Sequence, residues 1–468
     1  FLLTKLLCLI ANKTASLDPS GVGVEMEADK PNWYDALNGL PGLLGSSISE
    51  AFEVKRFALF ILSALEKAGI EEGESVEFFE ELVHFIRGLN ELLSVSPDAL
   101  MYWQKSNDLK EQYRASVRLG LTGKEEQLSI GKVKEFLQRV IGKVDLGVDV
   151  VRDEKGLYPT YFVHEVTEFE TLSGRSNDKF QYVQPVAFRR HALPLFLEGF
   201  VHGLRVERHP EQAGNLYRNV RKSVLFDKKL NMYKVNADLS GESEEIGRSR
   251  IFPRGWLENE SIWLHMEYKF LLEILRSGLY EEFYQNFKKV LIPFLKPEQY
   301  GRSTLENSSF LVSSAHTDER LHGQGFVARL SGSTAEFMHI WLLMNAGPEP
   351  FFVNEQGALS VRFAPALTGE LFSKEAGTAV VSDDKNLQEK IVLPKNTYAF
   401  KFLGSTLVVY HNPKRKDTFG RGAVEVRQIE LSYRGQAQSK VLKTPVIPSP
   451  YAADIRSNRI SRIDIFLE

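Results

Sequence analysis

The chain of 468 residues holds a single cysteine, Cys8, and carries almost no net charge. One thiol excludes an internal disulfide and any cysteine-based zinc site, and it suits a reducing, cytoplasmic setting. A formal charge of −3 builds no long-range field for nucleic acid or an anionic membrane. No apolar run reaches the ~18 residues that a membrane span requires. The opening FLLTKLLCLI lacks the basic start and small-residue cleavage site of a signal peptide, and Lys5 interrupts it. It reads as the inside of a buried helix, so the sequence is expected to be the C-terminal part of a longer protein. Also missing are an HExxH zinc signature, a G-x-S-x-G elbow, a Walker loop and a dinucleotide fingerprint. A metal ion or organic cofactor is therefore not expected.

Hydrophobic residues make up 43% and charged ones 25%, enough for a large core spread over two or three domains. An aromatic share of 11% suits sugar stacking but equally a large interior. Up to about Ala346 the pattern is mainly helical. Ser47-x-x-Glu50 reads as a capping box ahead of AFEVKRFALFILSALEKAG, and SVEFFEELVHFIRGLNELL follows with the same 3.6-residue period. Further helices are expected at KVKEFLQRVIGK, LPLFLEGFVHGLRV, SIWLHMEYKFLLEILRSG, LYEEFYQNFKKVL and STAEFMHIWLLMNAG. They come in pairs joined by short turns, the mark of antiparallel helical hairpins. YPTYFVHEVTEFE alternates and reads as a short strand or ordered loop. After Pro348 the runs ALSVRFAP, GTAVVSDD, NTYAFKFLG, STLVVYHNP and AVEVRQIELSYRG predict an antiparallel β-sandwich. Two domains are expected, residues 1–347 and 348–468.

Three segments carry chemistry. In DKPNWYDALNG the carboxylate Asp35 follows Trp33 and Tyr34. A general acid needs such apolar company, because it disfavours the ionised form. Asp35 as a simple turn cap is the plainer alternative. In LENESIWLHM, Glu258, Ser261, Ile262 and His265 are expected to share one face of a helix, while Trp256, Glu258 and Glu260 are candidates for sugar stacking and hydroxyl recognition. In SGSTAE, Ser333-x-x-Glu336 reads as a capping box that opens a helix, so that free amides near Ser331 and Gly332 face outward. The polar cluster AHTDERLHGQG, with His316, Asp318, Glu319, Arg320 and His322, has no zinc spacing and reads as a loop bordering the site.

KPNWYDALNG resembles the "DWNDALN" segment of inverting glycoside phosphorylases of the cellobiose-phosphorylase family. LENESIWLHM is similar to that family's "ENGGIYxHA", and HGQGFVARLSGSTAEFM to its "HxGRGGWTWYTGSAGWM". The three occur in the family's order. The resemblance implies an (α/α)6 barrel, N-terminally truncated here, followed by the β-sandwich. It further implies phosphorolysis of β-linked glucosides or oligosaccharides with inorganic phosphate as co-substrate. By the same resemblance Asp35 is the general acid, and His265, Ser331 and Gly332 hold phosphate. Trp33, Tyr34, Trp256, Glu258, Glu260 and His322 would contact sugar. A homodimer is compatible with this reading. The chain departs from the family at Tyr34, where an Asn is usual, at Gln324, where an Arg is usual, and at Arg329, in place of an aromatic. An inverting hydrolase is the nearest alternative, with Glu258, Glu306, Asp318 or Glu336 as base about 6.5–9.5 Å from the acid. A non-catalytic carbohydrate-binding protein is a third.

Overall fold

A computed structural model describes residues 2–26, 34, 36–37, 39–40, 44–95, 98–177, 179–207, 209–327, 331–382, 388–436 and 438–468, with only the backbone of Ser331. The chain divides into two compact units, Phe1–Glu273 with Lys288–Ser333, and Ile274–Phe287 with Thr334–Glu468.

In the first unit the helix Ile48–Lys67 begins where the sequence indicates. Ser47 is its N-cap, with its hydroxyl accepting from the Ser49 amide at 3.2 Å. Its apolar stripe packs against the helices Ile130–Val151 and Leu197–Val206. The helices Glu80–Val95 and Ala99–Val117 form a further pair. The expected helix over SVEFFEELVHF is split. Ser75–Phe79 is a strand paired with Glu125–Ser129, with Val76 opposite Leu128, and only Glu80–Val95 is helical. The alternating stretch extends much further than expected. It is a 15-residue strand, Tyr161–Arg175, hairpinned to Gln181–Ala192 and joined through Gly45–Ser47 to Val24–Glu25. The inner end of this long strand is buried, whereas from Thr167 outward it is exposed.

Among the described residues, the second unit carries three sheets. Five strands run in the order Thr397–Phe402, Thr406–His411, Ile460–Leu467, Val426–Tyr433, Ser439–Leu442. Thr406–His411 and Ile460–Leu467 are parallel, with Val409 opposite Asp464. The C-terminal strand thus sits at the centre of the sheet, where Ile463 and Ile465 are fully buried. A parallel neighbour needs a crossover connection, and this one contains the helix Tyr451–Arg456, packed on the strand Leu359–Arg362.

These observations correct the expected fold class. The described residues are 40% helix and 25% strand, with several small sheets distributed through both units. That is neither a mainly helical (α/α)6 barrel nor a purely antiparallel sandwich. The reason is that strand pairing is decided by partners distant in sequence, which local periodicity does not register. Among the described residues, no helix is long and apolar enough to cross a membrane.

Candidate active site

A small antiparallel sheet gathers the conspicuous segments. Phe310–Leu311 lies between Ile262–Trp263 and Gly325–Phe326, with Phe310 opposite both Trp263 and Phe326. Cross-strand neighbours on one face stack. Trp263 and Phe310 have centroids 6.1 Å apart, Phe310 and Phe326 5.6 Å, and Phe326 and Trp256 4.1 Å at an interplanar angle of 3°. All four rings are half-buried. The pile covers one face of Trp256, and His316 leans towards that ring at 6.1 Å.

At the opposite end of the pile stands His265. Its ring meets Trp263 edge-on at 5.3 Å. The strand Ile262–Trp263 runs directly into the helix Leu264–Arg276, so Glu258, Ser261 and Ile262 do not share a helical face with His265. What His265 does meet is Gly332. A Cβ added at that glycine would lie 2.7 Å from the imidazole Nδ1 and 2.9 Å from Cε1 and Cγ. Two residues 67 positions apart in the chain are therefore in contact, with the first turn of the helix Ser331–Ala346 against the ring. Gly332→Ala is expected to displace the imidazole and cost about 1–3 kcal/mol in a denaturant melt, the usual effect of overpacking. An unchanged midpoint would mean that the ring moves aside freely. Ser333 sits inside this first turn and is not the cap. Its buried hydroxyl accepts from Asn307 Nδ2 at 2.5 Å.

The loop before the sheet is held in an unusual backbone conformation. Leu257 and Glu260 have φ of 49° and 58° without being glycine. Asn236 fixes them, accepting from the Glu260 amide at 2.7 Å and donating to the Glu258 carbonyl at 2.6 Å. Glu260, 2% exposed, is paired with Lys234 and Arg254. Glu258 takes both nitrogens of the Arg248 guanidinium fork and the Ser249 hydroxyl, the latter at 2.9 Å. Both carboxylates are thus oriented by cations of the same chain. His322 is likewise committed. Its Nε2 donates to the His316 carbonyl at 2.8 Å, which leaves Nδ1 to accept from Lys229 at 2.8 Å. Of the alternative bases, Glu306 pairs with Arg302 at 3.3 Å and Asp318 is forked by Arg320. Glu336 lies on the helix Ser331–Ala346, in the second unit.

Trp33 and Asp35 lie outside the described residues, but Tyr34, Ala36, Leu37, Gly39 and Leu40 do not. Tyr34 is 9% exposed, its ring centroid 5.1 Å from that of Tyr161. Burial holds its phenol well above the usual range, and the Glu50 and Glu198 carboxylates add to that. The Ala36 amide donates to Glu198 Oε2 at 3.0 Å, and the Tyr161 hydroxyl donates to the same oxygen. Gly39 abuts the backbone of Ile246 and Gly247, in the turn whose Arg248 and Ser249 hold Glu258. Gly39 and the loop before the small sheet are thereby braced against one turn.

Sequence reasoning missed Glu198 and the charged stripe to which it belongs. Glu198, His202 and Arg205 are spaced i, i+4 and i+7 on the helix Leu197–Val206, which is otherwise almost wholly apolar. His202 Nδ1 meets Glu53 at 2.7 Å, and Arg205 bridges Glu53 at 3.2 Å and Glu273 at 2.9 Å. Burial pushes the Glu53 carboxyl up, but hydrogen bonds from His202 and Arg56 outweigh it and bring it to about 2. Polar residues recurring along one edge of an apolar helix were the available signal.

Glu25, close before the segment that carries Trp33, is pushed up to about 7 by burial, against the pull of a 2.9 Å hydrogen bond from the Trp103 indole. Its ordinary value is 4.5, so the folded chain holds this proton where the unfolded chain has released it. Stability from this group is complete below about 4.5 and is lost as pH rises through about 7. Glu25→Gln should therefore raise the melting temperature at pH 8 by a few degrees and leave it nearly unchanged at pH 4. Equal shifts at both pH values would refute this.

A groove of about 1310 Å³, bordered by Lys55, Asp145, Arg152, Tyr158, His209 and Lys222, contains none of the residues singled out from the sequence. Among the described residues, no group of three or more His, Cys, Asp or Glu side chains is arranged to hold a metal ion. No protein-family model matches the chain, and no curated protein matches it in sequence.

Proposed function

We propose that the chain belongs to an enzyme that cleaves or builds β-glucosidic bonds by inverting phosphorolysis, giving α-glucose 1-phosphate. The observation that carries this reading is the contact of His265 with Gly332. An imidazole able to donate a hydrogen bond lies against the first turn of a helix, where amides lack intrahelical partners and the dipole favours negative charge. This arrangement suits a phosphate oxyanion. In the proposed reaction Asp35 protonates the leaving glycosidic oxygen. Phosphate held by His265 and the backbone at Ser331 and Gly332 attacks the anomeric carbon from the opposite face. The nucleophile is then the anion itself, and no second catalytic carboxylate is required.

The direct test is a panel of β-linked glucobioses incubated with and without inorganic phosphate, using the full-length protein. Glucose 1-phosphate formed only with phosphate is the expected result. Free glucose in equal amounts under both conditions would replace the reading with hydrolysis. His265→Ala should raise the KM for phosphate roughly 10- to 100-fold, the loss expected for one charge-assisted hydrogen bond, and leave the KM for sugar within about twofold. An unaltered phosphate KM would remove His265 from the site.

A further inference from the structure

Tyr34 and Ala36, on either side of position 35, both contact one pair of side chains. Tyr161 packs its ring on Tyr34, and its hydroxyl donates to the carboxylate of Glu198. The same carboxylate oxygen accepts the backbone amide of Ala36. Glu198 is 3% exposed and Tyr161 is fully buried. Tyr34 and Ala36, the chain neighbours of position 35, are therefore both anchored on one hydrogen-bonded pair, one through its ring and one through its main-chain amide. The pair is fixed in turn. Tyr161 opens the long strand of the hairpin sheet and packs its ring edge-to-face on Phe196 at 4.8 Å, while Glu198 stands in the first turn of the helix that follows Phe196.

We infer that Glu198 and Tyr161 are positioning residues that hold the segment carrying the proposed acid. This rests on the functional reading above for its catalytic consequence, but not for the clamp itself. The other Glu198 oxygen stands 3.9 Å from His202 Nε2, so the carboxylate also belongs to the charged stripe of its helix. What the carboxylate adds is two directed hydrogen bonds at one oxygen, one of which fixes a peptide plane. Catalytic groups lose up to about 10²-fold in rate when displaced by roughly 1 Å, so such a tether acts on turnover rather than on binding.

The test uses the full chain and three substitutions. Glu198→Ala removes both acceptors, Glu198→Gln keeps one amide oxygen as an acceptor, and Tyr161→Phe keeps the ring while deleting the hydroxyl. Hydrogen exchange of the Ala36 amide should accelerate at least about tenfold in Glu198→Ala, with Glu198→Gln in between. Phosphorolysis should fall about 10- to 100-fold in kcat, with the phosphate KM unchanged and partial recovery in Glu198→Gln. Tyr161→Phe should reproduce the kcat loss in milder form and serves if Glu198→Ala does not fold. Unchanged Ala36 exchange in a folded variant overturns the clamp. Faster exchange with normal kcat overturns its role in positioning. If the parent protein forms no sugar phosphate, the functional reading fails, and the exchange arm still decides the clamp.

Discussion

Asp35→Asn is expected to reduce phosphorolysis of an unactivated glucobiose by about 10²- to 10⁴-fold while leaving the melting temperature almost unchanged. The substitution keeps size and shape and removes only the transferable proton. Tyr34 on one side packs on Tyr161, and the Ala36 amide on the other donates to Glu198, and the substitution alters neither group. The loss should shrink on a substrate whose leaving group needs no protonation, such as a glucosyl fluoride. That recovery separates a lost acid from a displaced sugar. Near-normal turnover of the unactivated substrate would assign Asp35 to capping a turn and leave the reaction without an acid.

The largest stability effect is expected at Arg205. Its guanidinium joins Glu53 on the helix Ile48–Lys67 to Glu273, which is 1% exposed. Arg205→Met keeps most of the aliphatic stem and removes the charge, so Glu273 loses its guanidinium partner in a buried setting. Breaking a buried pair from one side typically costs about 3–5 kcal/mol. Adding Glu273→Gln to that variant should recover part of the loss, because the buried charge then disappears too. A double-mutant cycle by urea denaturation measures both quantities. A single-variant loss under about 1 kcal/mol would show that the pair behaves as an exposed one.

Which parts of this architecture can be read in the sequence follows from the range of the forces involved. The helix Ile48–Lys67 is legible because its apolar stripe and its cap at Ser47 lie within one window. Ser75–Phe79 is not, since a five-residue run has no period of its own and its partner, Glu125–Ser129, lies about fifty residues on. The outer half of Tyr161–Arg175 was hidden because it is exposed, so no burial imposes alternation there. The parallel pairing of Thr406–His411 with Ile460–Leu467 leaves no local trace at all. At the site, His265 and Gly332 were each conspicuous as motifs, but their contact depends on tertiary structure. Glu198 was overlooked because one carboxylate at the start of an apolar helix reads as a helix end.

The pile of rings from Trp256 to Trp263 also has an optical consequence. Phe326 and Phe310 separate two of the chain's five tryptophans, and the His265 imidazole is set edge-on to the second. Trp263 thus serves as a built-in fluorophore for its edge-on ring contact with His265. With only five indoles in the chain, a Trp263→Phe subtraction isolates that emission, so displacement of the His265 ring can be followed without any turnover.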